Sequence, residues 1–104
     1  MIKVSVLYPA GDGTHRFDID YYINRHLPMV MQKFGAACKG LSAEQGIAGG
    51  MPGTPPAYAA MCHFTFDSVD DFQAAMMPHA KDIMSDVPNY TDITPILQVS
   101  EVKI

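Results

Sequence analysis

From Ile2 to Tyr8 the chain alternates, with Ile2, Val4, Val6 and Tyr8 on one side and Lys3, Ser5 and Leu7 on the other, so the pattern predicts a strand that ends at Pro9. After a Gly- and Asp-rich loop the period changes. Ile19, Tyr22, Ile23, Leu27, Val30, Met31 and Phe34 recur at three- and four-residue spacing, which predicts a helix capped by Asp18, stapled by Phe17 against Tyr22 and closed by Gly35. Cys38 to Ile47 is a weaker strand, and the Gly- and Pro-rich stretch from Ala48 to Pro56 is a loop. Tyr58 to Phe66 is the strongest strand signal, with Tyr58, Ala60, Cys62, Phe64 and Phe66 on one face. Ser68 and Asp71 form a capping-box pattern before a second helix whose inner face is Val69, Phe72, Met76, Ala80 and Ile83. An exit loop from Asp86 to Asp92 leads to a last strand, Ile96 to Val102.

The order β-α-β-β-α-β predicts an α+β, ferredoxin-like fold, in which two helices cover one face of a four-stranded antiparallel sheet. The uncovered face would carry Ser5, Leu7, Leu41 or Ser42, Met61, His63, Thr65, and Leu97 and Val99 or their neighbours. That face is too apolar for open water. Packing two such sheets together would bury it at about 25 cal/mol per Å² of apolar area, so a symmetric homodimer through the open sheet face is expected.

With 104 residues, the chain is expected to form a single domain over 1–104. Seven basic residues against eleven acidic ones give a net charge of −4, and the basic residues are scattered. Nucleic acid is therefore not an expected partner. No apolar run reaches the roughly 18 residues that cross a bilayer, and no signal-peptide pattern opens the chain, so no membrane association is expected and the location is expected to be cytoplasmic. Cys38 and Cys62 lack zinc spacing, and no metal site is expected. A hairpin pairing Cys62 with Ser42 would hold the two sulfurs roughly 13 Å apart. Both are therefore expected as reduced thiols.

Tyr22 and His26 are four residues apart on the inward stripe, and Pro28 removes the N–H that would bond the carbonyl of Asn24, so the helix should bend beside the imidazole. His26 is the candidate general acid or base and Tyr22 its orienter or a substrate hydrogen-bond partner. His79, after Pro78, is a candidate for the same space from the second helix. Asn89 and Tyr90 are candidates for substrate binding from the exit loop. His63 belongs on the open sheet face, and His15 lies in a polar loop. Gly46 to Gly53 has no following helix and so is no phosphate loop; a lid is the expected use. Met29, Met31, Met76, Met77 and Met84 suit an adaptable apolar pocket. No nucleophile elbow, inward carboxylate pair or dinucleotide fingerprint is present, which leaves proton transfer on a hydrophobic small molecule.

The run Phe17-Asp18-Ile19-Asp20-Tyr21-Tyr22-Ile23-Asn24-Arg25-His26-Leu27-Pro28-Met29 resembles the first-helix motif of the EthD family, associated with ethyl tert-butyl ether degradation. Gly46 to Pro56, Phe72 to His79, Val87-Pro88-Asn89-Tyr90 and Gln98 to Val102 resemble the rest of its layout. The resemblance implies a dimeric α+β barrel and a role in the breakdown of small organic compounds. Relatives in the wider superfamily resemble cofactor-free monooxygenases, lactone isomerases and polyketide cyclases. The expected activity is accordingly that of a cofactor-independent enzyme, an oxidoreductase or a lyase/isomerase, acting on a small apolar or aromatic compound. Two alternatives stand beside it: a non-catalytic accessory protein of an oxygenase pathway, and haem binding through His26 or His79.

Overall fold

The computed structural model describes all residues 1–104. Strands β1 (Ile2–Pro9), β2 (Gly40–Gln45), β3 (Tyr58–Phe66) and β4 (Ile96–Glu101) form one antiparallel sheet in the order β2-β3-β1-β4. The two helices lie on one face of it, giving the α+β, ferredoxin-like architecture. The alternation of β1 and β3 explains the layering. Val4 pairs with Phe64 and Val6 with Cys62 on the covered face, while Ser5 pairs with His63 and Leu7 with Met61 on the open one.

The first helix covers residues 19–34. Asp18 caps it by accepting from the Tyr21 N–H at 3.1 Å, and the Phe17 and Tyr22 rings meet edge to face at 5.1 Å, as the staple pattern predicts. Its middle, Tyr22–His26, winds as a wide π-helical turn in which the Leu27 N–H reaches back five residues to the Tyr22 carbonyl. The disturbance lies just before Pro28, where the regular ladder must lose a donor. Gly35 then leaves the helix at φ +63°, a conformation that a side chain would strain.

The second helix covers residues 69–86. The Ser68 hydroxyl accepts from the Asp71 N–H, and a tightened turn at Met77–His79 marks the bend at Pro78. Only Ile83 of this helix is fully buried; Val69, expected inside, is 40% exposed. The first half of the helix thus rides high on the sheet, held by Phe72 and Met76 against the core.

Two expectations for β2 are corrected, and the alternative left open for β4 is decided. β2 is shorter than Cys38 to Ile47, because residues 35–37 continue in a tight turn and Ile47 stands almost wholly in solvent. Its register differs by one residue: Ala43, not Ser42, faces Cys62, so Leu41 and Ala43 point to the helices and Ser42 and Glu44 to the open face. On β4 the open-face residues are the neighbours Ile96 and Gln98, whereas Leu97 and Val99 pair with Val6 and Val4 on the helix side. Both cysteines are free. No helix is long and apolar enough to cross a membrane.

Candidate functional site

The inward stripe of the first helix delivers Tyr22 and His26 side by side, 0% and 4% exposed, with their rings stacked 5.7 Å apart and only 14° from parallel. Tyr90 closes the cluster from the far end of the chain, its ring 4.6 Å from His26 and 4.9 Å from Tyr22. It is held there by backbone pairing. The Asp18 N–H donates to the Tyr90 carbonyl at 2.7 Å, and Phe17 bridges Thr91. Arg16 fixes the same loop by donating to the carbonyls of Pro88 and Asn89.

His26 is not alone. Its Nδ1 lies 2.8 Å from Oδ2 of Asp86, the last residue of the second helix. The other carboxylate oxygen accepts from the Tyr21 hydroxyl and from Nδ2 of Asn89, each at 2.8 Å. Burial pulls His26 below the usual histidine range against the opposing pull of Asp86. Burial also works to raise Asp86, but the donors His26, Asn89 and Tyr21 outweigh it and hold the carboxyl below its ordinary value. The resting pair is therefore a carboxylate and a neutral imidazole. With Nδ1–H donated to Asp86, the lone pair sits on Nε2, so the free nitrogen is a base.

The ring of His26 lines a partly open, largely apolar cavity between helices and sheet, with about 40 Å³ open to water-sized occupants. Tyr8, Tyr22, His26 and Cys62 bring its polar groups. Phe72, Met76, Met84 and Leu97, all partly exposed, form its loosest wall. The Tyr8 and Tyr90 hydroxyls share a hydrogen bond of 2.6 Å, whereas the buried Tyr22 hydroxyl, close to Tyr8 and Cys62, makes no hydrogen bond of good geometry. Burial pushes Tyr8 and Cys62 up to about 12 and raises Tyr22 and Tyr90 further, so all four stay protonated.

The structure thus brings Tyr22, His26 and Tyr90 together and leaves two expected residues out. His79 is partly buried but is not part of the cavity wall. Asn89 is exposed and holds Asp86 instead of facing the cavity. The Gly46 to Gly53 segment lies away from the cavity: Gly49 and Thr54 bond across a small turn, and Gly46 borders a separate polar cleft beside His15. Asp86 and Tyr8 are the functional residues that the sequence pattern missed. Asp86 had one available signal, its i,i+3 spacing to Asn89 at a helix end; Tyr8 had only its place on the inward face of β1.

The chain matches the model of the EthD domain over residues 12–94. No curated protein matches it. Among solved structures it is similar to an EthD-like protein from Ralstonia eutropha JMP134, with 50% identity, a TM-score of 0.93, and coverage of 99% of this chain and 92% of that one. It is also similar to an ethyl tert-butyl ether EthD family protein from Bacillus halodurans C-125, at 22% identity and a TM-score of 0.65, with 99% of each chain covered. A dimeric ferredoxin-like protein of unknown function from Thermobifida fusca YX shares the fold at 13% identity and a TM-score of 0.52, over 97% of this chain and 90% of that one. With four fifths of its length inside the domain match, and with half its residues shared with the Ralstonia protein, the chain belongs to the EthD family.

Proposed function

We propose that the protein is a cofactor-independent enzyme that moves a proton on a small apolar or aromatic compound. The observation that carries this reading is the His26–Asp86 pair. One ring nitrogen is bound to a carboxylate at 2.8 Å, and the other is left to an apolar cavity that the ring lines. Asp86 fixes the tautomer and stabilises the imidazolium that forms when Nε2 takes a proton. Tyr21 and Asn89 hold the carboxylate and are positioning residues. Haem does not fit the groups present: Nδ1 of His26 is committed to Asp86, the cavity beside it is far smaller than a porphyrin, and His79 does not line that cavity.

The active form in this reading is a homodimer through the open sheet face. Leu7, Met61 and the half-exposed Ile96 lie there, and three of its polar residues, Ser5, His63 and Glu44, contact one another. Ser5 Oγ and His63 Nδ1 are 2.7 Å apart, with Glu44 3.5 Å from Nε2, so covering this face leaves that pair hydrogen-bonded. Sedimentation at micromolar concentration should give a dimer; a monomer overturns this part.

The enzyme itself is tested by screening apolar and aromatic compounds for turnover, followed by His26→Ala on the compound that reacts. A loss of about 10² to 10⁴ in kcat is expected. A loss below about tenfold removes His26 from the role. Binding without consumption, with turnover only in the presence of a separate oxygenase, would establish the accessory reading instead.

A further inference from the structure

The unpartnered hydroxyl of Tyr22 is the least economical feature of this core. A buried O–H with no acceptor costs about 1 to 3 kcal/mol, and replacing it with a phenylalanine edge would remove that cost without changing the packing. The hydroxyl belongs to a side chain that is 0% exposed and lines the same cavity as His26, with the two rings stacked nearly in parallel. Beside it stands Tyr8, its ring 5.5 Å from that of Tyr22 and its hydroxyl paired with Tyr90. When Tyr90 donates to Tyr8, the Tyr8 proton is free to point into the cavity as well. Everything else in the wall is apolar apart from the Cys62 thiol.

From this arrangement we infer that the substrate is an apolar molecule with a single carbonyl oxygen beside an acidic C–H, and that the oxygen is received by the Tyr22 and Tyr8 hydroxyls. This inference rests on the reading of His26 as a base and names what the base acts on. Nε2 of His26 removes the proton from the carbon, the C–H electron pair becomes a C=C bond, and the carbonyl π pair moves to oxygen as an enolate. That oxygen accepts hydrogen bonds from the two tyrosines, which strengthen as its charge grows. The imidazolium, steadied by Asp86, returns the proton to carbon, at the same position or at a conjugated one. Atoms and electrons balance with no oxidant and no added group. The two hydroxyls are suited to this because burial keeps them protonated, as donors that cannot compete with the base. The 40 Å³ of open space is less than such a substrate needs, so Met76 and Met84, flexible and partly exposed on the loosest wall, must give way as it enters.

The test uses 4-nitrophenol, whose ionised oxygen resembles an enolate, against nitrobenzene, which has nearly the same shape without that oxygen. The wild-type chain should bind the phenol at least about tenfold more tightly than nitrobenzene. In Tyr22→Phe the preference should fall below about threefold while nitrobenzene binding persists, with Tyr8→Phe as the second variant. His26→Ala should keep most of the preference. An unchanged preference in both tyrosine variants overturns the oxygen site and leaves the His26 reading standing, and so does failure of the wild-type protein to bind the phenol when it binds nitrobenzene. In parallel, 2-indanone in D₂O should gain deuterium beside its carbonyl faster with wild-type protein, and slower again with either His26→Ala or Tyr22→Phe. Loss of exchange in His26→Ala alone overturns the tyrosine role. No acceleration by a wild-type protein that binds the phenol overturns the carbonyl substrate.

Discussion

Three histidines in this molecule stand beside a carboxylate; His15 does so in an exposed loop, and the other two, His63 and His26, differ in what remains free. His63, on the open sheet face, has Nδ1 hydrogen-bonded to Ser5 at 2.7 Å and Nε2 in looser contact with Glu44 at 3.5 Å. His26, under the helices, has Nδ1 tied to Asp86 at 2.8 Å and its other nitrogen unclaimed at the edge of a cavity. The carboxylates differ as well: Asp86 is held by Tyr21 and Asn89, whereas Glu44 is half exposed. An imidazole contacted at both nitrogens organises a surface, and one whose second nitrogen has no partner beside an apolar cavity can do chemistry. Proximity to an acid does not separate the two; the second nitrogen does.

The comparison breaks most sharply on activity. His26→Ala should cost about 10² to 10⁴ in kcat, while His63→Ala, assayed at a concentration that keeps the dimer together, should change it by less than about threefold. Equal losses in both variants would end the distinction. Next comes stability: Asp86→Ala strands the His26, Tyr21 and Asn89 donors together and should lower unfolding free energy by about 2 kcal/mol, against no more than about 0.5 kcal/mol for Glu44→Ala, both read from urea melts.

Acid should sharpen the contrast further. The folded pKa of His26 lies below its unfolded value of 6.5, so as the pH falls below 6.5 the unfolded chain takes up the proton first and stability declines. His26→Gln should flatten that decline. Asp86, whose folded pKa is also lowered, adds a second loss at pH values below 3.8, where the unfolded carboxyl protonates first. The smallest effect is opposite in sign: Tyr22→Phe should raise stability by about 1 kcal/mol, since it deletes the orphaned hydroxyl while keeping the ring. A thermal melt that moves down instead would mean that the hydroxyl has a partner in solution.

Much of the architecture was legible because its signals are local. The period-2 faces of β1 and β3, the Asp18 and Ser68 caps and the Phe17–Tyr22 staple each involve residues close in sequence, and each recurs in the fold. The short β2 misled by one residue, since Gly40–Gln45 has almost no hydrophobic contrast to set its register. Half of the site was legible for the same reason, through the i,i+4 spacing of Tyr22 and His26. Asp86 was not, because its link to His26 crosses 60 residues and depends on where the second helix stops. His79 does not reach the cavity wall, since the helix tightens at Met77–His79 and so departs from the regular phase that spacing assumes.

The wide turn at Tyr22–His26 has one more implication, for insertions and deletions. A regular α-helix advances about 100° per residue, so one surplus residue resets the angular phase of all the residues after it. Here that reset lets the consecutive residues His26 and Leu27 both lie buried, with Val30 and Phe34 in step behind them. Removing a single residue such as Asn24 would give a tidier cylinder in which either the imidazole or the Leu27–Phe34 stripe must rotate away from the sheet. Chain length in this stretch is therefore constrained more tightly than residue identity.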